Sequence, residues 1–424
     1  MPKNQKQVFC VAPFVNVWYR NSGDYYTMRP CCETRTDGFY WKEKNEETSK
    51  QDMFENYWNS EYIKDIRRSM MENKPHRICT DCVAIENKTG RSHRADYERY
   101  LQDKDDSVEL TTESGNQWKE PLTLDYRPSN LCNLKCRMCG PGSSTEWAKE
   151  IDKNINTEYS KLNKMSDGTE VYYFNNAQDR LYDKELTFDD QWKNVPLKNI
   201  RRAAFLGGEP LLQNETFEIM SYWAENNNTN VRMQITTNGT NFTKQWIDLF
   251  KKFTNIKIVL SSDGVDDTFN YIRTNANWNK VKENVTELAK LKNIEVVYSY
   301  TIQMYNSFNL IDILDFLRKW NVDHKHLRDF DEHFAERVQQ TYLSTALLDN
   351  KDRNSIISDL GNYISKHPEM TRLAHEIMDV VQADTGRTVS EAERKYFSDY
   401  TAKLDKVRKT NLVDLDPRFK KYLI

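Results

Sequence analysis

Between residues 122 and 327 the chain alternates short runs of β-branched and aromatic residues with stretches whose apolar residues recur at helical spacing, and this alternation restricts the fold most. The strand-like runs are 122–126 (LTLDY), 200–206 (IRRAAFL), 231–237 (VRMQITT), 256–262 (IKIVLSS) and 294–302 (IEVVYSYTI), with a short last strand expected at 324–327. Helices are expected from about Ser143, including Trp147 and Ile151, and over 217–223, 246–253, 281–291 and 310–320. Strands separated by such helical stretches imply βαβ crossovers and a parallel sheet. Six repeats fit a curved, partly closed barrel. The expected class is α/β, a partial (β/α)6 TIM-type barrel over residues 116–330.

The flanks read differently. Residues 1–115 are polar and aromatic, with turn chemistry at Asn21-Ser-Gly23 and Thr36-Asp-Gly38. Phe14, Val15, Val17 and Trp18, and then Phe39, Tyr40 and Trp41, flank those turns as short strands would. Tyr57, Ile63, Ile66 and Met70 have the spacing of one helix over 56–71. A small α+β unit is expected there. Residues 154–196 form a polar insertion without clear periodicity. In the tail, 331–424, Met370, Leu373, Ile377 and Val381 share a helical face behind Pro368, which a first helical turn tolerates. Phe397, Tyr400, Leu404 and Val407 form another stripe, opened by a capping box from Ser390 to Glu393. Three or four amphipathic helices without a catalytic motif are expected.

The length of 424 residues suits two or three domains, and its aromatic content (10 Trp, 23 Tyr, 18 Phe) supports packed cores. Lys+Arg 61 against Asp+Glu 64 gives a net charge of −3, so no global field favours nucleic acid or an anionic membrane. No run approaches the length of a membrane span, and the first residues lack the apolar core of a secretory signal, so a cytoplasmic protein is expected. In that reducing setting the eight cysteines, all within the first 139 residues, point to metal or cluster ligation rather than disulfides.

Cys132-Asn-Leu-Lys-Cys136-Arg-Met-Cys139 follows the first barrel strand. Three thiolates on one loop can hold three irons of a [4Fe–4S] cluster and leave the fourth without a protein ligand. A zinc knuckle short of its fourth ligand, or three unconnected thiols, are the plainer readings; no nearby C-x2-H completes a zinc site. The motif resembles that of the radical S-adenosylmethionine (SAM) superfamily, and so do three further strand ends. Leu206-Gly207-Gly208-Glu209-Pro210 is similar to the family's GGE motif, Thr236-Thr237-Asn238-Gly239 to its T-N-G end, and Ser261-Ser262-Asp263-Gly264 to its S-x-D-G end, with Arg273 downstream. Six of the 13 glycines (140, 142, 207, 208, 239 and 264) fall in these loops, at the strand ends where a parallel barrel gathers its functional groups.

The resemblance implies reductive cleavage of SAM, dependent on the [4Fe–4S] cluster, to a 5′-deoxyadenosyl radical that abstracts hydrogen from a substrate. It assigns the cluster to Cys132, Cys136 and Cys139 and the SAM amino group to Gly207, Gly208 and Glu209. Asn238, Ser262 and Arg273 fall to the ribose and carboxylate, and the backbone of Met138 to the adenine. An aromatic residue is commoner in the family where Met138 stands.

Cys10, Cys31, Cys32, Cys79 and Cys82 form a second group. The layout Phe9-Cys10, Arg29-Pro-Cys31-Cys32, Trp58-Asn-Ser60, Arg67 and Cys79-x2-Cys82 resembles the SPASM/twitch domain of radical SAM maturases, although that domain usually follows the barrel and here precedes it. The resemblance implies one auxiliary [4Fe–4S] cluster with Cys31 preferred over Cys32; a four-cysteine zinc site remains open. It also implies a peptide, protein or small-molecule substrate and an electron donor such as flavodoxin or ferredoxin. The alternative from another class is a non-catalytic scaffold with zinc at both cysteine groups. His324 and His326 receive no catalytic role, and Asp125 and Asp263 serve either a substrate or a loop cap.

Overall fold

A computed structural model describes residues 9–21, 26–34, 39–41, 51–74, 76–89, 92–94, 97, 120–154, 163–164, 170–171, 197–324, 333–383 and 388–423. The two expected N-terminal turns, most of the insertion at 154–196, and His326 lie outside them. The chain divides into two compact units, one of residues 1–129, 186–233 and 252–254, the other of 130–185, 234–251 and 255–424.

In the first unit, strand β1 (Asn16–Asn21) pairs antiparallel with β2 (Tyr26–Arg29), which pairs antiparallel with β3 (Phe39–Trp41). On its other side β1 runs parallel to β4 (Thr123–Arg127), and β4 runs parallel to β5 (Arg202–Phe205). The register sets Tyr19 opposite Tyr126, whose rings stack at 4.9 Å, and Phe205 meets Tyr126 edge-on at 6.5 Å. Such cross-strand aromatic pairs stabilise one register against slippage. Thus the cysteine-rich segment contributes a strand beside the first barrel strand.

Two local expectations are corrected here. Phe14 and Val15 are not in a strand but in a helical turn, Ala12–Val15, because Pro13 near its start holds a helical φ. The single helix over 56–71 is two helices, Gln51–Trp58 and Glu61–Met71: Ser60 is extended, and its Oγ accepts from the Ile63 amide. Buried Arg67 ties the second helix down, donating to the carbonyls of Pro13 (2.9 Å) and Trp58 (3.0 Å) while lying over the Trp58 ring.

Strand β6 (Arg232–Thr237) begins in the first unit and ends in the second. The second unit continues with β7 (Ile256–Ser261), β8 (Ile294–Ile302) and β9 (Phe334–Arg337), in the order β6–β7–β8–β9. The β7–β8 and β8–β9 pairs are parallel. Helices Lys244–Phe250, Trp278–Leu288 and Leu310–Asp323 make the crossovers, with Asp266–Ile272 as an extra short helix after β7. The fold is mixed α/β with parallel strands, of the partial TIM type that the alternating pattern implied.

The strand expected at 324–327 is not formed at His324, which ends the Leu310–Asp323 helix with its ring stacked on Trp320. The last strand is β9, inside the tail read as helical. Its four residues are half-buried or exposed, so no apolar alternation marks it; pairing with β8 holds it. Beyond it, Asn350–Lys366, Thr371–Gln382 and Glu391–Arg408 are helices, the last opened by the expected Ser390–Glu393 capping box. Among the described residues no helix is long and apolar enough to cross a membrane.

Candidate metal centre

None of the eight cysteines is in a disulfide. In the second unit Cys132, Leu134 and Cys136 are buried together, with Met138 and Cys139 packed against them. The loop carrying them is neither helix nor strand, so its backbone polar groups need partners from elsewhere. The amides of Lys135 and Arg137 donate to the carbonyls of Thr274 (3.1 Å) and Ile272 (2.8 Å). The carbonyl of Cys136 accepts from Trp147 Nε1 at 2.7 Å, that of Arg137 from the Tyr400 hydroxyl at 2.5 Å, and that of Met138 from Gln340 Nε2 at 2.6 Å. The Arg137 side chain is fully buried. It donates to the Tyr271 carbonyl and to Asp405 and Thr410, and it lies 3.6 Å from the Tyr271 ring centre.

The sulfurs are met by N–H donors. Leu134 N and Asn238 Nδ2 reach Cys132 Sγ at 3.5 and 3.9 Å, and Arg273 Nη1 reaches Cys136 Sγ at 3.8 Å. The hydrogen bond from Cys139 lowers the pKa of Cys136, with help from the Arg273 guanidinium against burial, while Cys139 is correspondingly raised. Converging thiols served by N–H···S contacts, one sulfur of them the more acidic, fit an iron–sulfur cluster, whose thiolates such donors stabilise.

The strand-end residues of this unit are held by their own loops and by neighbouring segments. Asn238 Nδ2 also donates to Asn133 Oδ1, and its Oδ1 accepts from the Thr240 amide, both at 3.0 Å. Gly239 has φ +77°, and a Cβ there would meet Leu260 Cδ1 at 2.5 Å, so both conformation and space call for glycine. The Ser262 hydroxyl donates to the Gly264 carbonyl. Asp263 accepts from the Thr301 amide and ion-pairs with Arg273 at 2.7 Å, which aims that guanidinium. In the first unit Gly207 has φ +104° and a Cβ there would lie 2.9 Å from the Ser129 carbonyl oxygen, to which the Gly208 amide donates. Glu209 is buried, and its carboxylate accepts from the Leu211 amide at 3.1 Å.

Of the N-terminal cysteines, Cys10 is pushed up to about 12 by burial, with the Cys79 and Cys82 sulfurs adding to the rise. Burial also raises Cys31, which feels Cys32, Cys10 and Cys79, and takes Cys79 to about 11 with Cys82 beside it. Cys32 has other company. Burial takes it to about 12 with Asp125 and Glu33 adding, and its donor atom lies within 4.8 Å of those of Glu33 and His93. Arg94 joins the segments by donating to the Phe9 carbonyl at 3.1 Å and pairing with Glu86.

Gln340, Tyr400, Asp405 and Arg408 were missed from the sequence. Each acts through a loop more than 200 residues away in the chain, or about as far, and none belongs to a motif.

Residues 126–319 match the family model of the Radical SAM superfamily. No curated protein sequence matches the chain. Among solved structures it is similar to Streptococcus suis SuiB bound to S-adenosylmethionine, at 14% identity over 83% of this chain and 69% of that one, with a TM-score of 0.34. The same protein bound to precursor peptide SuiA gives 14%, 85% and 70% with a TM-score of 0.34. SuiB alone gives 14%, 90% and 76%, again with 0.34. The family match spans the cysteine loop and the glycine-bearing strand ends: residues 126–319 are a radical SAM domain.

Proposed function

We propose that the chain is a radical SAM enzyme that modifies a peptide or protein in the cytoplasm. The observation that carries this reading is the loop itself, where Cys132, Cys136 and Cys139 converge with N–H donors on two of their sulfurs, inside a segment that matches the family. These three residues would hold a [4Fe–4S] cluster with one iron left for SAM. The chemistry supplied by the bound cluster is reductive cleavage of SAM to a 5′-deoxyadenosyl radical that removes hydrogen from the substrate.

The chain's own groups bind and orient. Glu209 would accept from the SAM ammonium, a charge-assisted contact, with Gly207 and Gly208 leaving the backbone bare of Cβ atoms. Arg273, aimed by Asp263, would serve the SAM carboxylate, Asn238 and Ser262 the ribose, and the Met138 backbone the adenine. Cys10, Cys31, Cys79 and Cys82 would hold an auxiliary [4Fe–4S] cluster, a reading supported by the mutual influence of their sulfurs; Cys32, which also acts on Cys31, lies beside Glu33 and His93. The proposed division is 1–115 for the auxiliary domain, 116–330 for the barrel and 331–424 for the helical region, the last of which returns strand β9 (Phe334–Arg337) to the barrel sheet. The peptide or protein substrate follows from the likeness of the cysteine layout to SPASM/twitch maturases, and a flavodoxin or ferredoxin supplies electrons.

Anaerobic reconstitution should give about 8 Fe and 8 sulfide per chain; zinc at either group would replace about half of that iron. The reduced protein should convert SAM to 5′-deoxyadenosine, and Cys136→Ala should abolish the product. Cleavage by that variant at the wild-type rate would overturn the assignment.

A further inference from the structure

The C-terminal helix Glu391–Arg408 ends in a buried charge group beside the cysteine loop. Arg408 and Glu150 are 1% and 3% exposed at their side chains and pair at 2.8 Å. Arg408 also donates to Thr274 Oγ1 at 3.1 Å and lies 4.5 Å from the centre of the Trp147 ring, whose Nε1 donates to the Cys136 carbonyl. Lys135, inside the loop, pairs with the same Glu150 carboxylate and is 20% exposed. Among the described residues these two cations share one anion, which leaves a surplus of positive charge in a poorly hydrated place. The other buried arginines of the loop are matched one to one: Arg137 with Asp405 and Arg273 with Asp263. The charge of Arg408 acts on the Cys136 sulfur, as does that of Arg273.

We infer that the Lys135–Glu150–Arg408 group is a positioning and charge-setting part of the cluster site, whose surplus positive charge favours the reduced cluster. This rests on the proposed binding of a [4Fe–4S] cluster by Cys132, Cys136 and Cys139. Reduction adds one electron from a one-electron reductant such as dithionite and breaks no bond in the protein. The added negative charge is stabilised by a nearby cation that water does not screen, and cluster potentials respond to such local charge. The tail, which carries no motif, thereby enters the redox chemistry through its last helical residue.

The test uses the full, anaerobically reconstituted chain poised where half of the wild-type loop cluster is reduced. The loop cluster is identified as the electron paramagnetic resonance signal absent from Cys136→Ala. Arg408→Gln should lower the reduced-to-oxidised ratio about tenfold, which is about 59 mV for a one-electron couple. Glu150→Gln should raise the ratio, and Arg408→Lys should stay within about twofold of wild type. Loss of packing alone would move Arg408→Gln and Glu150→Gln in the same direction. That outcome, or no movement in variants with wild-type iron, would overturn the inference. Should Arg408→Gln fail to hold iron, Lys135→Gln removes the same charge from a less buried place and should also lower the ratio; an unchanged ratio there is equally fatal. A wild type without any Cys136-dependent signal would instead refute the cluster assignment.

Discussion

Asp405→Ala should be among the most destabilising single changes in the second unit. The Asp405 carboxylate accepts from the fully buried Arg137 at 2.6 Å, from Thr410 Oγ1 at 2.7 Å and from the Leu412 amide at 2.9 Å. Its loss leaves a buried guanidinium without its anion, which costs about 3–5 kcal/mol, or roughly a hundredfold to a few thousandfold in the folding equilibrium. Arg137→Met should cost less, about 1–3 kcal/mol, because Asp405 is partly exposed and keeps its two other donors. The two changes touch one interaction, so in the Arg137→Met background Asp405→Ala should lose about 2 kcal/mol of its effect. Urea unfolding of the metal-free chain, followed by tryptophan fluorescence, measures all four corners of this cycle. A cost below about 1 kcal/mol for Asp405→Ala, or the same cost in both backgrounds, would show that the pair does not hold the cysteine loop.

Three further outcomes are expected. Gly239→Ala should cost about 2–4 kcal/mol in the same unfolding measurement, since its φ is +77° and its Cβ would press on buried Leu260 and Val281 at 2.5 and 2.9 Å; Gly140→Ala, with no atom within 4 Å of a Cβ, should stay within about 0.5 kcal/mol of wild type. Cys79→Ala should remove about half of the bound iron while SAM binding survives; full iron by colorimetric assay would remove the auxiliary site. The third outcome concerns pH. Burial raises Cys10 from 9.0 to about 12, so the folded metal-free chain keeps that thiol protonated while the unfolded chain releases the proton. The resulting stability is present below pH 9.0 and is lost as pH rises toward about 12; Cys10→Ser should lose less stability over that window, and equal losses would contradict the burial of the thiol.

Features with a local or periodic cause were legible in the sequence. Strand β8 occupies 294–302 as expected because alternate residues from Ile294 to Ile302 are buried, and the capping box at Ser390 and Glu393 forms because both partners lie within one turn. Position of the cysteine loop followed from its spacing for the same reason. The break inside 56–71 is hidden because Ile63, Ile66 and Met70 keep helical spacing and no Gly or Pro marks the extended Ser60, whose capping role is visible only once its Oγ meets the Ile63 amide. Strand β1 beside β4 joins residues 107 apart, as Asn16 to Thr123, and no period connects them. Strand β9 is legible only through its partner.

The same distinction explains why the tail looked functionless. A motif records the side chains that must face a ligand, yet an irregular loop also exposes carbonyls and amides that must be satisfied when it is buried. The carbonyls of Arg137 and Met138 can accept from any donor of suitable reach, so Tyr400 and Gln340 satisfy a requirement of geometry rather than of residue pattern. The fully buried Arg137 guanidinium likewise needs an anion, and Asp405 supplies it from the helix Glu391–Arg408. Cysteine spacing therefore marks the candidate ligands, whereas the groups that keep the loop in place are found only by following each of its buried polar atoms to a partner.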